Sequence, residues 1–202
     1  MKALASMTNF ELLSLLLGKV KAEKLSAVSL PELFGLCAKR HAQQTLFQEL
    51  PVYEIDQKLA ASKILMSRAM EADLMRNKTA LNSPGAVKEY LRLLIGGLQY
   101  EVFVAIFLDT QHRIIVTQEM FRGTLSQTSV YPREVVKAAL AHNSAAVIFA
   151  HNHPSGICDP SQSDQLLTST LKQALSLVDV RVLDHIIVGE TSTLSFAEKG
   201  LI

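Results

Sequence analysis

Residues 151–164 read His-Asn-His-Pro-Ser-Gly-Ile-Cys-Asp-Pro-Ser-Gln-Ser-Asp. Two histidines lie two apart, and an aspartate follows eleven residues after the second. Two imidazoles and one carboxylate suit a single zinc ion held by three protein ligands, with the fourth tetrahedral place left to water. A metal in that setting lowers the pKa of its water to about 7, so that hydroxide is available at neutral pH. The candidate ligands are therefore His151, His153 and Asp164. Cys158 lies in the same loop and is a thiolate donor in principle, but the other three residues already fill the protein positions.

The elements around these residues are built to bring them together. Ala145 to Ala150 is apolar throughout, the pattern of a buried strand. Residues i and i+2 of a strand face the same way, so His151 and His153 point at one spot if the strand runs through them. Pro154, Ser155 and Gly156 then turn the chain. After Pro160, Leu167, Leu171, Ala174, Leu175 and Val178 recur at helical spacing, and Ser161 and Asp164 fall in the first turn. A short loop thus returns the carboxylate to the histidine pair. Each piece also has a plainer reading. Ser-x-x-Asp at a helix start is a capping-box variant, and a close histidine pair after a strand serves equally as a hydrogen-bonded rim.

The whole spacing resembles the JAMM (MPN-plus) metalloprotease motif: a glutamate, a long gap, His-x-His-Pro, seven residues after the second histidine, then Ser-x-x-Asp. Seven residues separate His153 from Ser161 here. The surroundings resemble a narrower branch, the RadC-like (UPF0758) family. The segments that carry this likeness are Tyr100-Glu101-Val102-Phe103, Phe121-Arg122-Gly123-Thr124-Leu125, Pro132-Arg133-Glu134-Val135, His151 to Gly156, Pro160-Ser161 with Asp164, and Leu183-Asp184-His185-Ile186-Ile187-Val188-Gly189. They spread over most of residues 83–202. One departure is Asn152, where eukaryotic JAMM enzymes carry Ser or Thr; Asn is usual for the RadC-like branch. The letters HNH also name a nuclease class, but that name refers to dispersed residues and not to a tripeptide.

The resemblance implies a role for each residue. His151, His153 and Asp164 match the zinc ligands, one ion per chain. Ser161 matches the residue that helps stabilise the oxyanion. Glu101 matches the glutamate that activates the water and later protonates the leaving group. Val102 to Leu108 reads as an apolar strand, which puts Glu101 at the mouth of a buried element; a solvated strand end is the plainer alternative. Glu119 is the reserve candidate for the base, and Glu134 is more distant. His185 sits in a largely apolar strand beside Asp184, either as support behind the metal ligands or as a satisfied core histidine. Arg133 follows Pro132, a good first helical residue, and either pairs with neighbouring side chains or holds a substrate carboxylate or phosphate. His41, His112 and His142 read as ordinary surface or helix-end residues.

Two regions are expected, a helical one over residues 1–82 and the metal-binding domain over 83–202. In the first, Thr8 caps a helix through Leu17, Ser29-Leu30-Pro31-Glu32 opens another, and a longer one runs from about Glu54 to Arg76 with Ile55, Leu59, Met66, Met70 and Leu74 on one stripe. Asn82-Ser83-Pro84-Gly85 then turns into a helix that ends near Ile95, where Gly96-Gly97 stops it. Glu101 to Asp109 and Arg113 to Met120 form a β-hairpin turned by Thr110-Gln111-His112. A strand near Gln127 to Tyr131 precedes a helix from Pro132 to His142. After the metal loop and its helix come strands Val180 to Val188 and Leu194 to Phe196. Strands interleaved with helices give an α/β fold, a mixed sheet flanked by helices. The resemblance implies the cytidine deaminase-like architecture of JAMM domains, with an all-α N-terminal region before it.

Composition sets the outer bounds. The chain has 202 residues, 49% of them hydrophobic, enough for a real core. Its two cysteines, Cys37 and Cys158, give no disulfide framework. Leu12 to Leu17 is mostly apolar but too short to span a bilayer, and with Glu11 close before it and no cleavage site after it, a signal peptide is not expected. The expected compartment is the cytoplasm, with no membrane partner.

DNA is the second class of partner to weigh. RadC-like proteins are traditionally labelled as DNA repair proteins, and longer members begin with a helix-hairpin-helix. That hairpin uses a glycine-rich turn whose N–H groups meet phosphate. The corresponding stretch here, Leu50 to Asp56, has no glycine and carries two acids, Glu54 and Asp56. Residues 1–82 hold eleven Lys or Arg against eight Asp or Glu, and residues 83–202 nine against eleven, which together make the net +1. Nonspecific DNA binding relies on several clustered cations. Two-metal nuclease chemistry needs more carboxylates than Asp159 and Asp164. Two functional classes follow: a zinc hydrolase cleaving a peptide or isopeptide bond, and a DNA repair or recombination accessory with a non-proteolytic metal site. The substrate and the oligomeric state are not legible.

Overall fold

Seven consecutive apolar residues, Val102 to Leu108, can be satisfied only by cover on both faces. They form β1 (Val102–Leu108), buried throughout, in a computed structural model that describes residues 7–26, 33, 57–76, 84–123 and 130–202. The hairpin follows with β2 (Ile114–Arg122), paired antiparallel to β1. Its turn is held by Asp109, whose carboxylate accepts from the backbone N–H groups of Gln111 and Arg113 at 2.8 and 2.9 Å. His112 takes the left-handed conformation there, with φ 57°.

Three further strands complete one sheet: β3 (Ala146–Asn152), β4 (Arg181–Val188) and β5 (Thr193–Ser195). The order is β2-β1-β3-β4-β5, with β3 and β4 parallel and every other pair antiparallel. A parallel pair requires a crossover, and the helix over Gln162–Ser176 supplies it between β3 and β4. The fold is therefore the mixed α/β sheet flanked by helices that the sequence pattern implies.

Strand alternation divides the core in two. Val104, Ile106, Ala146, Ile148, Ala150, Ile186 and Val188 face one side, where they meet Val87, Tyr90, Leu91 and Ile95 of the helix Pro84–Ile95. Phe103, Ala105, Phe107, Val147 and Phe149 face the other, against Val135 and Ala139 of the helix Pro132–Ala141 and Leu171 and Leu175 of the crossover helix. Burying each Val, Leu, Ile or Phe side chain among them contributes about 1.5–3 kcal/mol. In chain order the helices are α1 (Asn9–Leu17), α2 (Lys19–Leu25), α3 (Gln57–Arg76), α4 (Pro84–Ile95), α5 (Pro132–Ala141) and α6 (Gln162–Ser176).

The capping box expected at Thr8 is present: its side chain accepts from Glu11 N–H, and Glu11 accepts from Thr8 N–H. Leu13, Ala22, Leu25, Leu33 and Leu59 make a small separate core among the N-terminal helices. Gly96 N–H bonds to Arg92 O at 2.9 Å, at the glycine pair expected to stop α4. Expectations at Ser29–Glu32, Cys37, His41, Leu50–Asp56 and Asn82–Ser83 fall outside the described residues. So does most of the strand expected near Gln127–Tyr131. Its described end is not strand: Tyr131 is the N-cap of α5, because Pro132 supplies a ready first helical φ. Among the described residues, no helix is long and apolar enough to cross a membrane.

Candidate metal centre

β3 carries His151 on the face of Phe149 and Val147, and the strand pairing continues one residue beyond its end, where His153 N–H donates to Val188 O at 2.9 Å. The two rings therefore project together, with their Nε2 atoms 2.9 Å apart. The chain then turns at Gly156, which has φ 82°. A side chain there would place its Cβ 2.9 Å from Glu190 Cβ, so the turn needs glycine for space as well as conformation. The loop is pinned by Gly156 O, which accepts from Glu190 N–H at 3.0 Å.

The loop delivers Ser161 to the N-cap of α6, in the capping box expected from Ser-x-x-Asp. One oxygen of Asp164, Oδ2, accepts from Ser161 N–H at 2.8 Å and from Ser161 Oγ–H at 2.6 Å. The other, Oδ1, lies 3.3 Å from His151 Nε2, while Oδ2 lies 3.6 Å from His153 Nε2. The capping and ligand readings of this motif are thus one arrangement, in which the cap holds the carboxylate against the two imidazoles.

His151, His153 and Asp164 each offer a ligand atom within 4.8 Å of the others. His153 Nδ1 lies 2.7 Å from Ile157 O. A carbonyl only accepts, so Nδ1 bears a hydrogen and Nε2 faces the centre. Two imidazole nitrogens and a carboxylate, converging at a helix N-terminus, form a donor set that fits a divalent cation. The charges respond accordingly. Burial raises the Asp164 carboxyl, but hydrogen bonds from His151, His153 and Ser161 and the His151 charge outweigh it and hold it far below the usual carboxylate range. The His153 imidazole is raised, first by its hydrogen bond with Asp164, against burial, and further by the Ile157 carbonyl and the charges of Asp164 and Glu101.

Glu101 precedes β1, in a half-buried position. Phe103 pairs with His151 across β1 and β3, and Glu101 lies two residues earlier, at the mouth of β1. Its charge acts on His153. The chain on either side of Glu101 is clamped by Asn152. Its Oδ1 accepts from Val102 N–H at 2.8 Å, and its Nδ2 donates to Tyr100 O at 3.0 Å and Leu98 O at 3.4 Å. The residue between the two histidines therefore anchors the glutamate's backbone from the opposite face of β3.

Behind His151, its Nδ1 lies 2.8 Å from His185 Nε2, and His185 Nδ1 lies 2.6 Å from Thr168 Oγ1 on α6. His185 is fully buried, ringed by Phe103, Phe149 and Phe196 at centroid distances of 5.6, 6.1 and 5.0 Å. Burial first, then the His151 charge, push its pKa well below the ordinary histidine value. Asp184 does not touch this ring: its carboxylate accepts from the N–H groups of His185 and Ala197 and from Ser195 Oγ–H.

Other expected participants stand apart. Glu119 pairs with Val104, whose side chain faces the other core, and is bonded to Arg122 at 2.9 Å. Glu134 pairs with Lys137 one turn along α5. Arg133 is exposed in the first turn of α5, where its charge acts on Glu134. Cys158 turns its thiol to Ser192 O at 3.0 Å, in contact range of the Gly189 backbone and outside the His-His-Asp group. His112 lies 2.9 Å from Arg181, and His142 caps α5 and lies 2.9 Å from Gln118. Thr168 carried no signal as a site residue, and Asn152 carried only that of the motif position where the JAMM likeness departs.

A family model described as the RadC-like JAB domain matches residues 81–201. The chain belongs to that family. A UPF0758 protein of Nitrosospira multiformis is 64% identical over 135 residues, 67% of this chain and 60% of its own length. Longer alignments join it to UPF0758 proteins of Nitrosomonas europaea, 49% identical over 100% of this chain and 92% of that protein, and of Thiobacillus denitrificans, 50% identical over 97% and 90%. The matched JAB domain contains β1 to β5 and every residue of the group around Asp164.

Proposed function

We propose that this protein is a zinc-dependent hydrolase of an amide bond, a peptide or isopeptide bond in a protein substrate. The observation that carries the reading is the convergence of His151, His153 and the Asp164 carboxylate, with Glu101 near enough for its charge to act on His153. His151, His153 and Asp164 would hold the ion. When bound, zinc supplies a polarised scissile carbonyl and a water acidic enough to give hydroxide near pH 7. Glu101 accepts a proton at its carboxylate and returns it to the departing amine, the work of one general base and acid. Ser161 orients Asp164 through its hydroxyl and, once that bond is exchanged, donates it to the substrate oxyanion. Phe103 and Phe149 close the floor of the site and keep water out from below. The JAB domain is the enzyme in this reading, and the cytoplasm its compartment.

The test combines metal content with turnover. Purified protein carries about one zinc per chain, and His153→Ala loses it. A peptide library is cleaved by the wild type and spared after chelation. Glu101→Gln retains zinc and loses about 10²–10⁴-fold in turnover, the usual contribution of a positioned base. Zinc lost from Glu101→Gln would remove the base assignment. A metal-free protein that retains DNA tightly and in a salt-dependent way, unchanged in His153→Ala, would replace the hydrolase with a DNA repair accessory.

A further inference from the structure

A chain of hydrogen bonds runs from α6 through the core to the back of His151, and its direction can be read from one end. Thr168 Oγ1 lies 2.6 Å from Asp164 O, a carbonyl that can only accept. The Thr168 hydroxyl proton is therefore spent on that bond, since two oxygens so close repel without a hydrogen between them. At its second contact, 2.6 Å from His185 Nδ1, the same hydroxyl must accept. His185 Nδ1 consequently bears hydrogen. Its ring lies at 0% exposure among three phenylalanines, where an imidazolium would be costly. The neutral ring then has a lone pair on Nε2, and that atom lies 2.8 Å from His151 Nδ1. His151 must donate there.

We propose that Thr168 and His185 form a relay that locks His151 as its Nδ1–H tautomer and thereby keeps Nε2 open toward Asp164 and His153 for a metal ion. The proposal rests on the reading of His151 as a ligand. It makes His185 and Thr168 positioning residues: neither reaches the ion, and both act through the ring that does. Asp164 lies at the far end of the relay as well, through its backbone carbonyl, so one helical turn, Asp164 to Thr168, sets a ligand with its side chain and orients another with its main chain. His153 reaches the same tautomer by a separate route, the Ile157 carbonyl 2.7 Å from its Nδ1. Both imidazoles thus carry hydrogen on Nδ1 and turn Nε2 toward the centre. Outer partners of this kind typically contribute 10–100-fold in metal affinity.

The experiment uses the full chain, with zinc alone as the probe. Zinc affinity is measured by chelator competition, and the imidazole nitrogens of metal-free protein are assigned by ¹⁵N NMR at mildly alkaline pH. The relay requires wild-type His151 to carry its proton on Nδ1. In His185→Leu that proton moves to Nε2, the form preferred by free histidine, and zinc affinity falls by about 10–100-fold. His185→Gln, which offers an acceptor to His151 and a donor to Thr168, recovers most of it. Thr168→Val weakens zinc by about tenfold, and Thr168→Ser restores it, a contrast that mere packing at this position would reverse, since Val fills the space better than Ser. If His185→Leu fails to fold, the Thr168 pair decides. Wild-type His151 protonated on Nε2, or a Val variant with unchanged affinity and unchanged tautomer, overturns the relay. A wild type that binds no zinc overturns the hydrolase reading instead, and the tautomer comparison on metal-free protein still judges the relay.

Discussion

Asn152→Ala should cost the fold several kcal/mol, and the amount can be worked out from its bonds. The side chain is 2% exposed. It accepts from Val102 N–H at 2.8 Å and donates to Tyr100 O at 3.0 Å, with a longer bond to Leu98 O at 3.4 Å. Truncation leaves one buried N–H and one buried carbonyl without partners. Each unsatisfied group costs about 1–3 kcal/mol. Counting two such groups and neglecting the longest bond, the loss is roughly 2–6 kcal/mol. Asn152→Asp should be worse: it retains an acceptor for Val102 but sets a carboxylate oxygen against two carbonyls. Urea unfolding of chelated protein measures both. Zinc affinity, compared at a temperature where each variant is folded, should change only a few-fold, because neither Nε2 contact passes through Asn152. Turnover should fall further, because the peptide groups flanking Glu101 lose their anchor. An Asn152→Ala variant within about 0.5 kcal/mol of wild type, the range of an ordinary surface substitution, would refute the clamp.

Ser161→Ala removes the cap of α6, in which Ser161 Oγ accepts from Asp164 N–H, and the hydroxyl's bond to Asp164 Oδ2, leaving only the backbone N–H bond to that oxygen; we expect a loss of about 1 kcal/mol in stability together with weaker zinc binding, read by urea unfolding and chelator competition. Gly189→Ala should destabilise the metal loop, since its Cβ would lie 2.4 Å from Gly156 O and 2.5 Å from Cys158 Sγ; amide exchange that stayed as slow at residues 153–158 as in wild type would contradict this. In chelated protein the pH profile of stability should peak near 6.5, the ordinary histidine value shared by His153 and His185. His153 is raised, so its contribution is complete below that value and lost as pH climbs through its folded pKa. His185 is lowered, so below that value the unfolded chain takes up a proton that the fold refuses, and stability declines as pH falls. Urea midpoints that run monotonically from pH 5 to 8.5 would show that one of these two shifts is wrong.

The convergence of His151, His153 and Asp164 was legible in the sequence because its geometry is local. A strand sets residues 151 and 153 on one side by its period of two, and a capping box ties residue 161 to residue 164 within one turn. The apolar run of β1 likewise announced a strand with both faces covered, and with it the mouth at Glu101. What escaped was set by contacts between segments far apart in the chain. Asn152 meets Val102 across 50 positions, and His151 meets His185 across 34. Thr168, at an unremarkable helical position, becomes part of the site only because β4 brings His185 beneath it. Proximity in sequence also misled: Asp184 adjoins His185, yet alternation along β4 sends its carboxylate to Ser195 and Ala197. Glu119, near enough in the hairpin to serve as a base, faces the wrong core because its partner Val104 does.

The distribution of anchors around the centre explains why the site can be rigid although its ligands come from a strand end, a loop and a helix start. His151 is fixed by β3 pairing and by His185; His153 by Val188 and Ile157; Asp164 by the α6 cap. The anchors of both histidines use atoms that face away from the converging nitrogens, so binding an ion breaks none of them. The Asp164 carboxylate shows how this works within one group. Its four lone-pair positions let Oδ2 serve the cap while Oδ1 faces His151. The rotamer entropy of that side chain is therefore already lost on folding, where the helix cap offsets it. An ion reaching the centre finds its ligands ordered by interactions that stabilise the fold independently of it. Such a centre has its donors in place before metal arrives, unlike the small metal domains that fold only around their ion.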